Sequence, residues 1–383
     1  MLTKSIFLKS FPKKSSEKRI KKLLDLMLSQ NNQLFKSMSK NYIDQFNFKN
    51  IKKKNGRNNI RVIGIGGSIL GAQAIYYFLR NKIKKNFFFI NNLKSSKKLS
   101  NKEKITNLVI SKSGNTLETI VNVNLLVNKK NNIFLTENKK SYLSELALKL
   151  KAEIINHNNF IGGRYAVLSE VGMLPAQLMG LDPKKFRQFD NLVKNKKFLN
   201  ILIKNTNSIF QFSKEKKFNS IILNYDPESE YLFQWYQQLV AESLGKKGKG
   251  ILPIISTMPK DNHSVMQLYI DGFKNNFFTF FHCREKDSNK LIKNKLLSSH
   301  KYLGSKKINE IIFKQKIATE NVFKSKNIPF RSFEIKKKNE KTLGEIFCYF
   351  ILETILLGRA LNINPFDQPS VELVKKETKK LFY

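Results

Sequence analysis

Sulfur and imidazole are scarce in this chain of 383 residues. Its two cysteines, Cys283 and Cys348, stand far apart and form neither a CxxC pair nor a disulfide framework, which fits a reducing, cytoplasmic setting. The four histidines, His157, His263, His282 and His300, include no HxxxH pair, so no metal centre built from side chains is expected. No apolar run approaches the ~18 residues that a membrane-spanning helix needs. The apolar stretch near the N-terminus is too short for a signal peptide. Acidic residues are also few, 29 against 70 Lys and Arg, leaving a formal net charge of +41. A charge of that size raises nucleic acid or an acidic membrane as partners. However, Lys, Asn, Ile and Phe are inflated together, as AT-rich coding produces. The basic residues are dispersed in runs such as "IKKKNGRNN" and "NKKNN", with no zinc finger, basic zipper or aromatic ribonucleoprotein signature. The charge is therefore read as surface composition, with no specific nucleic acid and no membrane as partner.

What is present is globular. Apolar residues make up 41% of the chain, enough for two or three domains with cores. Residues 1–55 read as helices with a polar surface, as in "EKRIKKLLDLMLSQ". The texture then changes. Compact apolar runs at "IRVIGIGG", "NFFFIN", "NLVIS", "NIFLT" and "AEIIN" alternate with helical stretches, the pattern of a parallel α/β sheet. A second block of the same kind begins near Phe218, with "NSIILNY", "GILPIIST" and "FFTFFHC" as strands and "YLFQWYQQLVAESL" as a helix. "LGEIFCYFILETILLGRALN" is apolar nearly throughout and reads as a core helix or a helix at a subunit interface; a last helix, "SVELVKKETKKLF", follows.

Two strand-to-helix loops carry candidate chemistry. "GIGGSILG" brings backbone and a helix N-terminus close to an anion, with Gly67 and Ser68 at its centre. No acid follows in "NFFFINN", which argues against a nicotinamide site. "SKSGNTLET" offers three hydroxyls, Ser111, Ser113 and Thr116, with Lys112 between them, ahead of a helix. That is a phosphate cradle, and more hydroxyl than one helix cap needs.

With "GGRYAVLSEVGMLPA", "QQLVAESLGKKGKG", "STMPKDNHSVMQL" and "NPFDQPSVELVK", these motifs stand in an order that resembles the glucose-6-phosphate isomerase (phosphoglucose isomerase) family over residues ~60–378. The resemblance implies an α/β fold of two SIS-like three-layer αβα domains with mainly parallel sheets, plus N- and C-terminal helices. On this chain that means an N-terminal helical segment at 1–55, a first domain with the phosphate loop at 56–190, a second at 191–345, and C-terminal helices at 346–383. It implies reversible isomerisation of glucose 6-phosphate and fructose 6-phosphate through a cis-enediol(ate), in glycolysis and gluconeogenesis, with no cofactor. It assigns Glu242 as general base, His263 as the ring-opening histidine contributed across a homodimer, and Lys375 as its helper at the ring oxygen. Gln238 and Gln368 become substrate contacts. Glu118 is expected to orient His263.

Arg164, after Gly162 and Gly163, is expected to stabilise the enediolate, because a fixed cation is most effective where charge develops. The two glycines are read as the source of a tight turn there. The alternative for Arg164 is a structural ion pair with Glu170 or another acid. Four positions depart from the family pattern: Asn115, Asn262, Ser370 and Val374, the last a β-branched residue beside Lys375. A sugar-phosphate binder without turnover, a nucleic-acid binder and an isomerase that also takes mannose 6-phosphate are the competing readings.

Overall fold

The structure, a computed structural model, describes residues 1–12, 16–55, 58–93, 104–284 and 289–382. Two five-stranded sheets organise it. The strands are β1 (Ile6–Lys9), β2 (Asn59–Ile63), β3 (Phe87–Ile90), β4 (Ile105–Ile110), β5 (Asn132–Thr136), β6 (Glu153–Asn156), β7 (Asn219–Asn224), β8 (Leu252–Thr257), β9 (Asn276–Cys283) and β10 (Phe330–Ile335). The first sheet has the order β3-β2-β4-β5-β6 and every neighbouring pair is parallel. The second has the order β1-β10-β9-β7-β8, parallel except that β1 runs antiparallel to β10. Every residue of β5 and β9 is buried, which explains their largely apolar runs: helices cover both faces of a parallel sheet.

The strand–helix alternation read from the sequence is thus present in both blocks. Two details differ. The N-terminal segment expected to be helical also supplies β1, which zips onto the second sheet with Ile6 opposite Ile335 and Lys9 opposite Ser332. The expected boundary between residues 345 and 346 falls inside one helix, Glu340–Ala360. All of that helix except Lys341 and Arg359 is buried within this one chain, so it is a core helix and its apolar character needs no subunit interface. Phe347 meets Trp235 edge-on at 4.8 Å between ring centroids, and Phe350 meets Tyr236 at 4.5 Å. Arg331 of β10 and Glu353 of the core helix form a fully buried two-pronged pair at 2.5 and 2.9 Å. Thr279 and Tyr349 take part in the same network.

The two sheets meet across helices. Leu70–Phe78, after β2, packs against Glu230–Leu244, after β7. Tyr77 and Tyr231 stack there at 4.2 Å. This packing carries the Glu230–Leu244 helix over the carboxyl ends of the first sheet, where ligands bind in open α/β folds.

Candidate active site

A cavity of about 280 Å³ opens at that edge. The loops after β2, β4, β5 and β6 form its floor, the Glu230–Leu244 helix one wall, and the start of the Pro369–Lys380 helix another. Eleven of the residues singled out in the sequence line it together: Gly67, Ser68, Lys112, Ser113, Thr116, Gly163, Arg164, Gln238, Glu242, Gln368 and Lys375. Ser111 is buried just behind, its hydroxyl 3.0 Å from that of Thr116. A larger hollow of about 730 Å³ shares Lys112 but is walled by amides and aromatics, with no carboxylate. It therefore offers no base.

The hydroxyl loop differs from an ordinary helix cap. Thr116 is the N-cap of Leu117–Leu126, yet its side chain does not cap. Its hydroxyl instead lies 3.0 Å from Ser111 Oγ and 3.5 Å from Ser113 Oγ. The first-turn N–H groups are thereby left to an external acceptor, which the helix dipole also favours. Gly114 at the loop's apex has φ +67°, and a Cβ there would stand 2.1 Å from Ser141 Oγ, so only glycine fits. Asn115, a departure from the family pattern, turns away: its Oδ1 accepts from the Tyr142 N–H at 2.9 Å and helps start the next helix.

Arg164 sits in the short turn Gly163–Leu168 and is only 2% exposed. Nε donates to Ser243 Oγ at 2.9 Å, and Nη2 to the carbonyls of Pro365 at 2.7 Å and Asp367 at 3.0 Å. Nη1 donates to Gln368 Oε1 at 2.6 Å and to Glu242 Oε2 at 3.3 Å. Each N–H of the fork has an acceptor, so the cation is held in one pose. The carboxylate it meets is Glu242 rather than Glu170, which accepts from Tyr42 Oη at 2.7 Å and the Gln45 N–H at 3.2 Å. Burial raises the Glu170 carboxyl above its ordinary range. The Tyr165 phenol is likewise raised by burial, although Arg164 beside it pulls the other way.

The glycines of "GGRY" do open a tight turn, the Tyr165 N–H donating to the Gly162 carbonyl at 2.9 Å, but the turn does not crowd them. Gly162 has φ −66°, and a Cβ on Gly163 would meet nothing closer than 3.8 Å. The tight approach is at Gly67. A Cβ there would lie 2.2 Å from Gly163 C and 2.5 Å from Arg164 N. Backbone rests on backbone, and this contact sets the height of Arg164 above the "GIGGS" loop.

Glu242 and Gln238 stand one helical turn apart, as their spacing predicts, and Gln238 Nε2 donates to Glu242 Oε1 at 3.0 Å. The C-terminal segment is strapped down by Arg164 and by Lys246 Nζ, which donates to the Asn364 carbonyl at 2.5 Å and to Asp367 Oδ1 at 2.6 Å. Lys375 reaches the cavity from the following helix and pairs with Glu372 at 2.6 Å. Val374 is 68% exposed, so its bulk does not press on the site.

His263 is exposed in the turn Lys260–His263 and lies outside this chain's own cavity. Among the described residues, Glu118 and His263 share no hydrogen bond or ion pair. Sequence reasoning missed Glu137, Lys139 and Glu372, which also line the cavity. The signal available for the first two was their place just after β5, at the sheet's carboxyl edge.

Known proteins resemble this chain in sequence and in fold. The phosphoglucose isomerase family model matches residues 24–382. A glucose-6-phosphate isomerase of Methanocaldococcus jannaschii is 34% identical over 353 residues, covering 86% of each chain. Among solved structures, a hypothetical protein of Thermus thermophilus superposes with a TM-score of 0.81 at 19% identity, over 96% of this chain and 94% of the other. A glucose-6-phosphate isomerase of Chlamydia trachomatis superposes with a TM-score of 0.70 at 17% identity, over 96% and 73%. Sequence match and fold thus agree: this chain belongs to the phosphoglucose isomerase family.

Proposed function

We propose that this protein interconverts glucose 6-phosphate and fructose 6-phosphate by proton transfer through a cis-enediol(ate), in glycolysis and gluconeogenesis. The carrying observation is that a carboxylate, Glu242, and a fully tied-down cation, Arg164, face one cavity opposite a loop of three hydroxyls. In this reading the phosphate settles on Ser68 and the Ser111–Thr116 loop, at the helix N-terminus. Lys375, with His263 contributed by a second copy in a homodimer, assists ring opening. Glu242 then removes the proton from the carbon next to the carbonyl, and the electron pair moves onto the carbonyl oxygen. Arg164 stabilises that oxygen without reorganising, since its pose is already fixed. The hydroxyl proton passes from the neighbouring oxygen to the enediolate oxygen, Glu242 returns the carbon-bound proton to the former carbonyl carbon, and the carbonyl re-forms one position along the chain. Gln238 aligns the base, and Gln368 shares Nη1 of Arg164 with it. The exposure of His263, away from its own cavity, supports a role in trans. Separated cysteines and the absence, among the described residues, of a helix long and apolar enough to cross a membrane support a cytoplasmic setting.

The test is a coupled isomerase assay on wild type and Glu242→Gln. A general base contributes ~10²–10⁴-fold, so kcat should fall by that factor. Turnover that survives the change would remove Glu242 as the base.

A further inference from the structure

The loop after β5 belongs to none of the motifs that carry the family resemblance, yet three charged groups converge there and open into the cavity. The Glu137 side chain is only 9% exposed. Its Oε1 lies 3.5 Å from Lys112 Nζ, and its Oε2 is paired with Lys139 Nζ. Lys112 Nζ also donates to the Asn159 carbonyl at 2.9 Å. Backbone bonds fix the loop against the phosphate loop: the Glu137 N–H donates to the Lys112 carbonyl at 3.1 Å, and the Lys139 N–H to the Glu137 carbonyl at 2.8 Å. All three side chains line the same cavity as Ser113 and Thr116.

A phosphate monoester carries roughly −1.5 to −2 charges at pH 7. Two ammonium groups bridged by one carboxylate present a net charge of about +1 to it. A second lysine has no reason to sit so close to the first unless a carboxylate or the ligand lies between them, because bare ammonium groups repel. We propose that Lys139 is a second cationic contact for the substrate phosphate, and that Glu137 is a positioning residue. Glu137 holds Lys112 and Lys139 at the mouth of the hydroxyl loop and competes with the phosphate for both. The carboxylate thereby limits how tightly substrate and product are held. The contact is remote from the reacting carbons and equal in substrate and transition state, so it acts on KM and not on kcat. The proposal rests on the isomerase reading only in taking the ligand as a phosphate monoester.

The experiment is titration of the full-length protein with inorganic phosphate, beside kcat and KM for fructose 6-phosphate. Glu137→Gln keeps the size and an acceptor oxygen but deletes the competing charge. Phosphate should bind about three- to tenfold more tightly, KM should fall in step, and kcat should stay within about twofold, the scale of a partly exposed charge-assisted contact. Lys139→Gln should weaken phosphate binding and raise KM by a similar factor, and Lys139→Arg should restore both. Lys139 is 52% exposed, so its replacement does not disturb the fold. Weaker or unchanged phosphate binding in Glu137→Gln would reduce Glu137 to a structural ion pair, and an unchanged Lys139→Gln would make Lys139 a solvated surface charge. Wild-type protein that binds phosphate but turns over no hexose phosphate would refute the isomerase reading, while the phosphate titrations still decide this one.

Discussion

Replacing Gly67 with Ala adds one methyl group, and the structure says where it goes. The new Cβ would stand 2.2 Å from Gly163 C and 2.4 Å from Gly163 O, both backbone atoms. No side-chain rotation relieves such a contact. The "GIGGS" loop and the turn bearing Arg164 must separate by about 1 Å, and overpacking of this kind typically destabilises by about 1–3 kcal/mol. The larger effect falls on chemistry. A misplacement of about 1 Å can lower turnover by ~10²-fold, and here the displaced group is the cation proposed to hold the enediolate. The reciprocal change is the control. A Cβ on Gly163 would meet nothing nearer than 3.8 Å, so Gly163→Ala should fold and turn over almost as wild type. Steady-state kinetics and thermal unfolding of both variants decide the matter. Gly67→Ala with wild-type kcat, or Gly163→Ala impaired as badly as Gly67→Ala, would refute the argument that this backbone contact sets the height of Arg164.

Other expectations are briefer. Arg164→Ala should lower kcat more than it raises KM; equal losses in both would make Arg164 a binding clamp. Glu353→Gln leaves Arg331 buried and uncompensated, and loss of one partner of such a pair typically destabilises by about 3–5 kcal/mol, read as a lower urea midpoint. His157 and His282 are both lowered by burial from 6.5 to about 4. The unfolded chain therefore binds protons that the native state refuses between those values, and stability should be full above pH 6.5 and fall as pH drops toward 4. His282 has Phe313, Lys316, Arg284, Glu334 and Asp226 around it, and neither ring nitrogen has a hydrogen-bond partner among the described residues. His282→Phe should consequently flatten the acid limb of the stability curve, and an unchanged pH slope would show that His282 does not set it.

Much of the architecture was legible because buried parallel strands announce themselves as apolar runs between helices, as β4 and β7 do. β10 was not, because Arg331 and Glu334 interrupt its apolar pattern; Arg331 is tolerated there only by its pair with Glu353, which is distant in sequence. β1 is four residues long and is defined by pairing with a strand at the other end of the chain. The candidate site was legible where glycines and hydroxyls cluster at a strand end. The meeting of Arg164 with Glu242 was not, since it depends on one helix crossing from the second sheet to the first. The adjacent glycines rightly suggested a turn, but the close approach belongs to Gly67, on a neighbouring loop, which adjacency in sequence does not show.

The central claim is that one cavity holds the phosphate on the hydroxyl loop and the reacting carbons between Glu242 and Arg164. A crystal structure with a sugar-phosphate hydroxamate, which mimics the enediolate, tests it most directly. The account predicts the phosphate within hydrogen-bond distance of Ser113 and Thr116, and the hydroxamate oxygens against Glu242 and Arg164. A phosphate bound beside Arg164, or a hydroxamate out of reach of Glu242, would contradict it.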